Sequence, residues 1–203
     1  MPATPRADGR PVLLANGFMP FEVSLNRLAA AYRDQGFEPY VVPYSHADMV
    51  DARQYARSIA DLIGEIYRDT GRRVDVVGIS MGGVCALHAV KHLGAEPMVR
   101  TVVLAGSPVN GTPLSYLAAW SHVFSRTGRQ LTFGSDFLHD VHDGPLPERV
   151  RFVTLGGFLD FICPPAVTVL SGAENYFHFF GHHDLMFSPW LHRLIGEKLL
   201  QTE

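Results

Sequence analysis

The chain has 203 residues, of which 47% are hydrophobic and 18% charged, with a formal net charge of −3 at pH 7. That length suits one domain with a full core. No basic run or aromatic-basic stripe points to nucleic acid, no apolar run approaches the roughly 20 residues of a membrane span, and two distant cysteines, Cys85 and Cys163, make no disulfide framework.

Residues 1–10 are polar, hold Pro and Gly, and read as a flexible N-terminal arm, leaving 11–203 as a single domain. The arm lacks the apolar segment of a secretory signal, so the expected compartment is cytoplasmic and reducing, with free thiols; a trimmed secreted chain would look the same. Pro11–Ala15 is predicted as a buried strand, followed by the loop Asn16-Gly17-Phe18-Met19-Pro20. Leu25, Leu28, Ala29 and Tyr32 recur at helical spacing over Ser24–Gln35, and Gly36 stops that helix. Phe37–Pro43 reads as a second strand. Asp51–Thr70 reads as a longer helix, with Tyr55, Ile59, Leu62, Ile63 and Ile66 on one face and Gly71 as its stop.

Val74–Gly83 then reads V-D-V-V-G-I-S-M-G-G. A β-branched run enters Gly78-Ile79-Ser80-Met81-Gly82, the G-x-S-x-G of a nucleophile elbow, and a helical pattern from Val84 to Val90 follows. A serine at the tip of so tight a turn is held in a strained backbone conformation, with its hydroxyl clear of the sheet. Side chains two residues either way would collide as strand and helix close up, so Gly78 and Gly82 leave room. The following helix aims an N-terminus at the serine, where negative charge is favoured.

Val99–Ala105 is predicted as a fourth strand. About 40 residues then pass before the next, Arg149–Leu155, and a stretch so long carries structure or function of its own. Within it, Pro113–Phe124 reads as an amphipathic helix and Ser135–Val141 as another, forming a small helical cap or insert over about 112–145. Ala173–Phe180 fits a last strand and Pro189–Leu200 a terminal helix. Strands alternating with helices predict an α/β fold: about six mostly parallel strands, helices on both faces, and a site at the carboxyl ends of the strands.

A serine hydroxyl needs a base, and the base needs a carboxylate. On this architecture the expected chain order is Ser, Asp or Glu, then His, each after a strand. Asp160 follows the strand Arg149–Leu155 and is flanked by Leu159 and Phe161, an odd setting for a surface carboxylate. Its rivals Asp136, Asp140 and Asp143 precede that strand in polar, helix-like sequence. Gly181-His182-His183-Asp184 follows the last strand, and either histidine could be the base. His139-Asp140 and His142-Asp143 also suggest a metal cluster, but alternating ligands on one short segment make poor tetrahedral geometry, so no metal is expected. An oxyanion hole needs two backbone N–H groups; Met81 supplies one, and Phe18 is the natural second.

Together these pieces resemble the α/β-hydrolase superfamily, and within it the small bacterial triacylglycerol lipases and esterases. P-V-L-L-A-N-G-F resembles the family's first strand and hole loop, with Asn16 where histidine is common. V-V-G-I-S-M-G-G resembles its elbow. A-G-S-P-V-N-G-T-P-L is similar to the segment after the fourth strand, L-G-G-F-L-D-F-I-C-P-P to the acid loop and G-H-H-D-L-M-F-S-P to the histidine loop. In that register the base is His182, and His183 falls on a variable position.

The resemblance implies an α/β-hydrolase fold and a cofactor-free serine hydrolase. Ser80, Asp160 and His182 would act on carboxylic esters with apolar acyl groups, with the N–H groups of Phe18 and Met81 as the hole. Met19, Trp120, Phe124 and Phe161 are the candidate substrate contacts. The partner is expected to be a small-molecule or lipid ester, with transient contact to a lipid surface compatible. An acyltransferase or thioesterase with the same residues, or a non-catalytic binding protein on the same fold, are the alternatives.

Overall fold

The computed structural model describes residues 9–17, 22–43, 51–116 and 125–201. Most of the predicted N-terminal arm, and most of the helix expected at Pro113–Phe124, lie outside them.

Six strands form one all-parallel sheet. They are β1 (Arg10–Ala15), β2 (Phe37–Val41), β3 (Val74–Ile79), β4 (Val99–Ala105), β5 (Arg151–Gly157) and β6 (Glu174–His178). Their spatial order is β2-β1-β3-β4-β5-β6. The interior strands β1, β3 and β4 are near-continuous apolar runs because both faces of the sheet are covered.

Side chains alternate between the two faces along each strand. Leu13, Val76, Val102 and Leu104 point to one core, closed by the helices α2 (Ala52–Thr70) and α3 (Met81–His92). Val12, Leu14, Val77, Val103 and Val153 point to the other core. That side is closed by α1 (Glu22–Asp34) and the C-terminal helix. In α2, Tyr55, Ile59, Ile63 and Ile66 form the buried stripe that the sequence spacing requires. Asp51 caps its first turn by accepting from Arg53 N, and Gly71 ends it in the left-handed region at φ 65°.

Between β4 and β5 lie, among others, the short helices α4 (Ser125–Gln130) and α5 (Asp136–His142). Beyond β5 lie α6 (Pro165–Thr168), α7 (Asp184–Phe187) and α8 (Pro189–Leu200).

β4 and α8 have the predicted ends, but β5 is displaced two residues from Arg149–Leu155. Val150 is instead held in a turn by its N–H bond to Pro147 O, and the strand continues through Gly156 and Gly157. Glycine is a poor strand former, which is why the sequence reads as loop there. Here it is required: a Cβ on Gly157 would stand 2.4 Å from Phe180 O, and one on Gly156 2.6 Å from Thr168 Oγ1. The last strand ends at His178 rather than Phe180, because Phe180 turns back and its carbonyl accepts from Leu159 N at 3.2 Å.

Candidate active site

The strand register decides which loops meet. Ala15 pairs with Gly78, Ile79 with Ala105, Ala105 with Leu155, and Gly157 with His178. The carboxyl ends of β1, β3, β4, β5 and β6 therefore form one rim, and the loops leaving it carry Gly17, Ser80, Gly106, Asp160 and His182.

Ser80 is the single non-glycine residue with positive φ among the described residues, at φ 55° and ψ −128°. Such a conformation costs on the order of 1–3 kcal/mol and persists only where the surroundings enforce it. They do so here. Ser80 N–H donates to Ala105 O at 2.9 Å, and Ser80 O accepts from Gly83 N at 3.1 Å. Strand and helix close so tightly that a Cβ on Gly78 would stand 2.3 Å from Gly83 Cα, and one on Gly82 would stand 2.3 Å from Ala15 O. Gly17 is subject to the same constraint, since its Cβ would lie 2.7 Å from Ser80 Cβ. Met81 opens α3, and a first-turn N–H has no acceptor in its own helix.

Asp160 closes a turn after β5 by donating its N–H to Gly157 O at 3.1 Å. Its side chain is fully buried, and both oxygens are occupied. Oδ1 accepts from Ile162 N at 3.0 Å and Cys163 N at 2.7 Å; Oδ2 lies 2.7 Å from His182 Nδ1. A carboxylate only accepts, so His182 Nδ1 carries the proton of that bond and Nε2 is left with its lone pair. The two loops are also joined through their backbones, Phe158 N–H to His178 O at 2.9 Å and Leu159 N–H to Phe180 O. Gly106, at φ 55°, packs over the pair: a Cβ there would stand 3.2 Å from Asp160 Oδ2 and 2.5 Å from Leu185 Cδ1. In the sequence Gly106 stands out only as part of the segment after the fourth strand.

The rivals fall elsewhere. His183 precedes α7 and has no bond to Asp160. Asp140 pairs with Arg53 of α2, and His142 Nε2 lies 2.8 Å from Val109 O. Among the described residues no group of three His, Cys, Asp or Glu side chains could hold a metal ion.

Cys163 is the neighbour that the sequence reading did not assign to the site. Besides its N–H bond to Asp160, its thiol is buried close to the Ser80 side chain. Burial pushes the thiol pKa up, and the nearby Asp160 charge adds to this; the Ser80 contact opposes both. The thiol is therefore neutral at physiological pH. The signal in the sequence is its place three residues after Asp160, inside an apolar Pro-terminated loop.

Beside His182 is a depression of about 240 Å³ lined by Leu159, Phe161, Ile162 and His183, with Phe161 89% exposed. A larger cavity of about 470 Å³ lies at α4 and α5 and touches neither Ser80 nor His182. Phe18, Met19, Trp120 and Phe124 lie outside the described residues. Asn16, the first residue of the loop expected to carry the oxyanion hole, is buried; its N–H donates to Tyr55 Oη at 3.0 Å, and its Oδ1 has no partner among the described residues.

Sheet order, helix placement and the loops at the strand carboxyl ends define an α/β-hydrolase fold, which solved lipases and esterases share. The family described as PGAP1-like alpha/beta domain matches residues 42–185, most of the chain, and this chain belongs to that family. Among the solved structures that share the fold are three lipases. The mature form of Bacillus licheniformis lipase BlEst2 is 19% identical with a TM-score of 0.77, over 98% of this chain and 94% of that one. Aspergillus fumigatus lipase B is 16% identical with a TM-score of 0.77, over 96% of this chain and 53% of that one. Paleococcus ferrophilus monoacylglycerol lipase is 16% identical with a TM-score of 0.66, over 94% and 95%. The chain thus spans about half the length of the Aspergillus lipase. A search of curated proteins by sequence finds no match.

Proposed function

We propose that this chain is a serine carboxylic-ester hydrolase acting on esters with apolar acyl groups. The observation that carries the reading is the buried 2.7 Å bond from His182 to Asp160, on loops leaving the same rim as the strained Ser80.

In this mechanism Ser80 Oγ attacks the ester carbonyl while His182 Nε2 takes the hydroxyl proton. Asp160, ionised and buried, holds the ring tautomer and stabilises the imidazolium that forms. The Met81 N–H and the Phe18 N–H bind the oxyanion, each worth about 3 kcal/mol of barrier. His182 returns the proton to the departing alcohol. Water, deprotonated by the same nitrogen, then releases the acid and regenerates Ser80. The Cys163 thiol, kept neutral by burial, does not compete as a nucleophile.

The apolar preference is supported by Leu159 and Phe161 in the depression beside His182 and by exposed Phe158 and Phe179 beyond them. These residues suit an acyl chain or the surface of a lipid ester. The Pro113–Phe133 segment is expected to overhang the site.

The test is hydrolysis of chromogenic esters of short, medium and long acyl chains, with Ser80→Ala alongside. The expected result is turnover that rises with acyl length and falls by about four orders of magnitude or more in the variant. Equal turnover by both proteins would overturn the serine mechanism. Acyl transfer to an added alcohol, without hydrolysis, would move the reading to an acyltransferase.

A further inference from the structure

The opposite end of the sheet carries a third cavity, of about 210 Å³, at the amino ends of the strands. Four arginines line it: Arg10 opening β1, Arg100 in β4, and Arg149 and Arg151 around the start of β5. They are far apart in sequence, so no basic run announces them; the parallel register brings them to one end.

The carboxylates there do not balance these charges. Asp75, fully buried, serves both Arg10 at 2.8 Å and Arg100 at 3.3 Å. Glu174 serves Arg151 at 2.6 Å, and Glu148 lies on the lining. A fifth arginine, Arg73, stands behind the wall, with Nη2 on Arg149 O at 2.7 Å and a buried Nε that has no partner among the described residues. Arg149 is exposed and makes no ion pair among the described residues. Five guanidinium groups therefore face three carboxylates, in a chain whose net charge is −3. Burial lowers the pKa of Arg100, and the charges of Arg10 and Arg72 add to that, against the opposing pull of Asp75. The cations repel one another here.

Guanidinium groups present fixed pairs of N–H donors that match tetrahedral oxyanions, and a hollow walled by several of them favours such a guest. From the four lining arginines, the shared carboxylate and the orphaned Arg73 Nε, we propose that this cavity binds an anion of the phosphate class, either free or as a lipid headgroup. Its volume suits a phosphate or pyrophosphate group rather than a polymer. The site is separate from Ser80, so the proposal does not depend on the hydrolase reading.

The test is thermal unfolding and calorimetric titration of the whole chain with inorganic phosphate and pyrophosphate. Chloride and acetate at matched ionic strength are the controls. Phosphate is expected to raise Tm by a few degrees where acetate does not. Arg149→Gln, which disturbs no ion pair, should weaken binding about tenfold, and Arg100→Gln should do the same where it folds. Arg57→Gln on α2 should leave binding unchanged. Co-sedimentation with phosphatidylcholine vesicles, with and without a phosphate-monoester lipid, separates the two sources: capture only by the second kind marks the headgroup. An equal response to acetate, undiminished binding in Arg149→Gln, or no binding to phosphate, pyrophosphate or phosphate-monoester vesicles would overturn the proposal.

Discussion

Asp160 uses both of its oxygens. Two backbone N–H groups occupy Oδ1 and His182 occupies Oδ2. Replacing it with asparagine keeps the shape but supplies one acceptor where two are used. The amide N–H₂ must face either the two loop N–H groups or His182, whose ring would then have to present its other tautomer. Asp160→Asn is therefore expected to lower kcat by about four orders of magnitude with little change in KM, read by steady-state ester hydrolysis. The same loop makes a prediction for Cys163. A buried thiol with its pKa pushed up is a poor nucleophile, and Cys85 is buried as well. Neither thiol should react with a disulfide reagent at pH 8 in the native protein, and both should react once it is unfolded. Prompt reaction of one native thiol would show that the loop opens. A bond between His182 and Asp160 was expected from the place of Asp160 after β5 and from its apolar flanks, Leu159 and Phe161. The approach of Cys163 to Ser80 was not, because the two are 83 positions apart and no local pattern links them.

The elements were read most accurately where apolar pattern and stop signals agree. β4 ends where its β-branched run meets Gly106, and α8 starts at Ser188-Pro189, a serine cap followed by a first-turn proline. β5 misled because glycines that look like a loop are demanded by partners that sequence cannot show, Phe180 and Thr168 among them. The elbow offers a controlled comparison between two glycines. Gly71 ends α2 with nothing within 4 Å of an added Cβ, so Gly71→Ala costs only the left-handed strain, about 1–2 kcal/mol. A Cβ on Gly82 would meet backbone, Ala15 O at 2.3 Å, and rotation of a side chain cannot relieve that. Gly82→Ala is expected to cost more than about 3 kcal/mol, measured by urea unfolding, and to displace the loop that carries Gly17. Equal midpoints for the two variants would mean that the elbow is looser than these contacts imply.

For the molecule as a whole, the core on the α2–α3 side contains a pH-sensitive member. His88 of α3 is buried against Phe137 and His92, with Arg53, Arg57 and Asp140 nearby. Burial comes first among the causes that push its pKa down to about 4, and the neighbouring cations add to it against Asp140. The unfolded chain binds this proton near pH 6.5 and the folded chain only near 4. Its contribution to stability is thus complete above about pH 6.5 and is lost as the pH falls toward 4. Tm between those limits should fall less steeply in His88→Leu than in the parent chain; identical profiles would rule out His88 as the source. The fold class was legible because alternation of strand and helix runs through the whole chain. The two poles of the sheet were not equally so: Ser80, Asp160 and His182 are the residues that the expected chain order proposes for one, while the arginines at the other end share no motif.

The all-parallel pairing has a kinetic consequence. No two strands here can join as a hairpin; Ala15 must find Gly78, and Ala105 must find Leu155, across long intervening stretches of chain. Each such closure loses chain entropy before any burial compensates, so refolding belongs to the slow end of the range for a domain this size. Until the sheet assembles, runs such as Val74–Ile79 and Val99–Ala105 are apolar and unpaired. Dilution from denaturant at high protein concentration should therefore lose material to aggregation, while the same dilution at low concentration should return native protein.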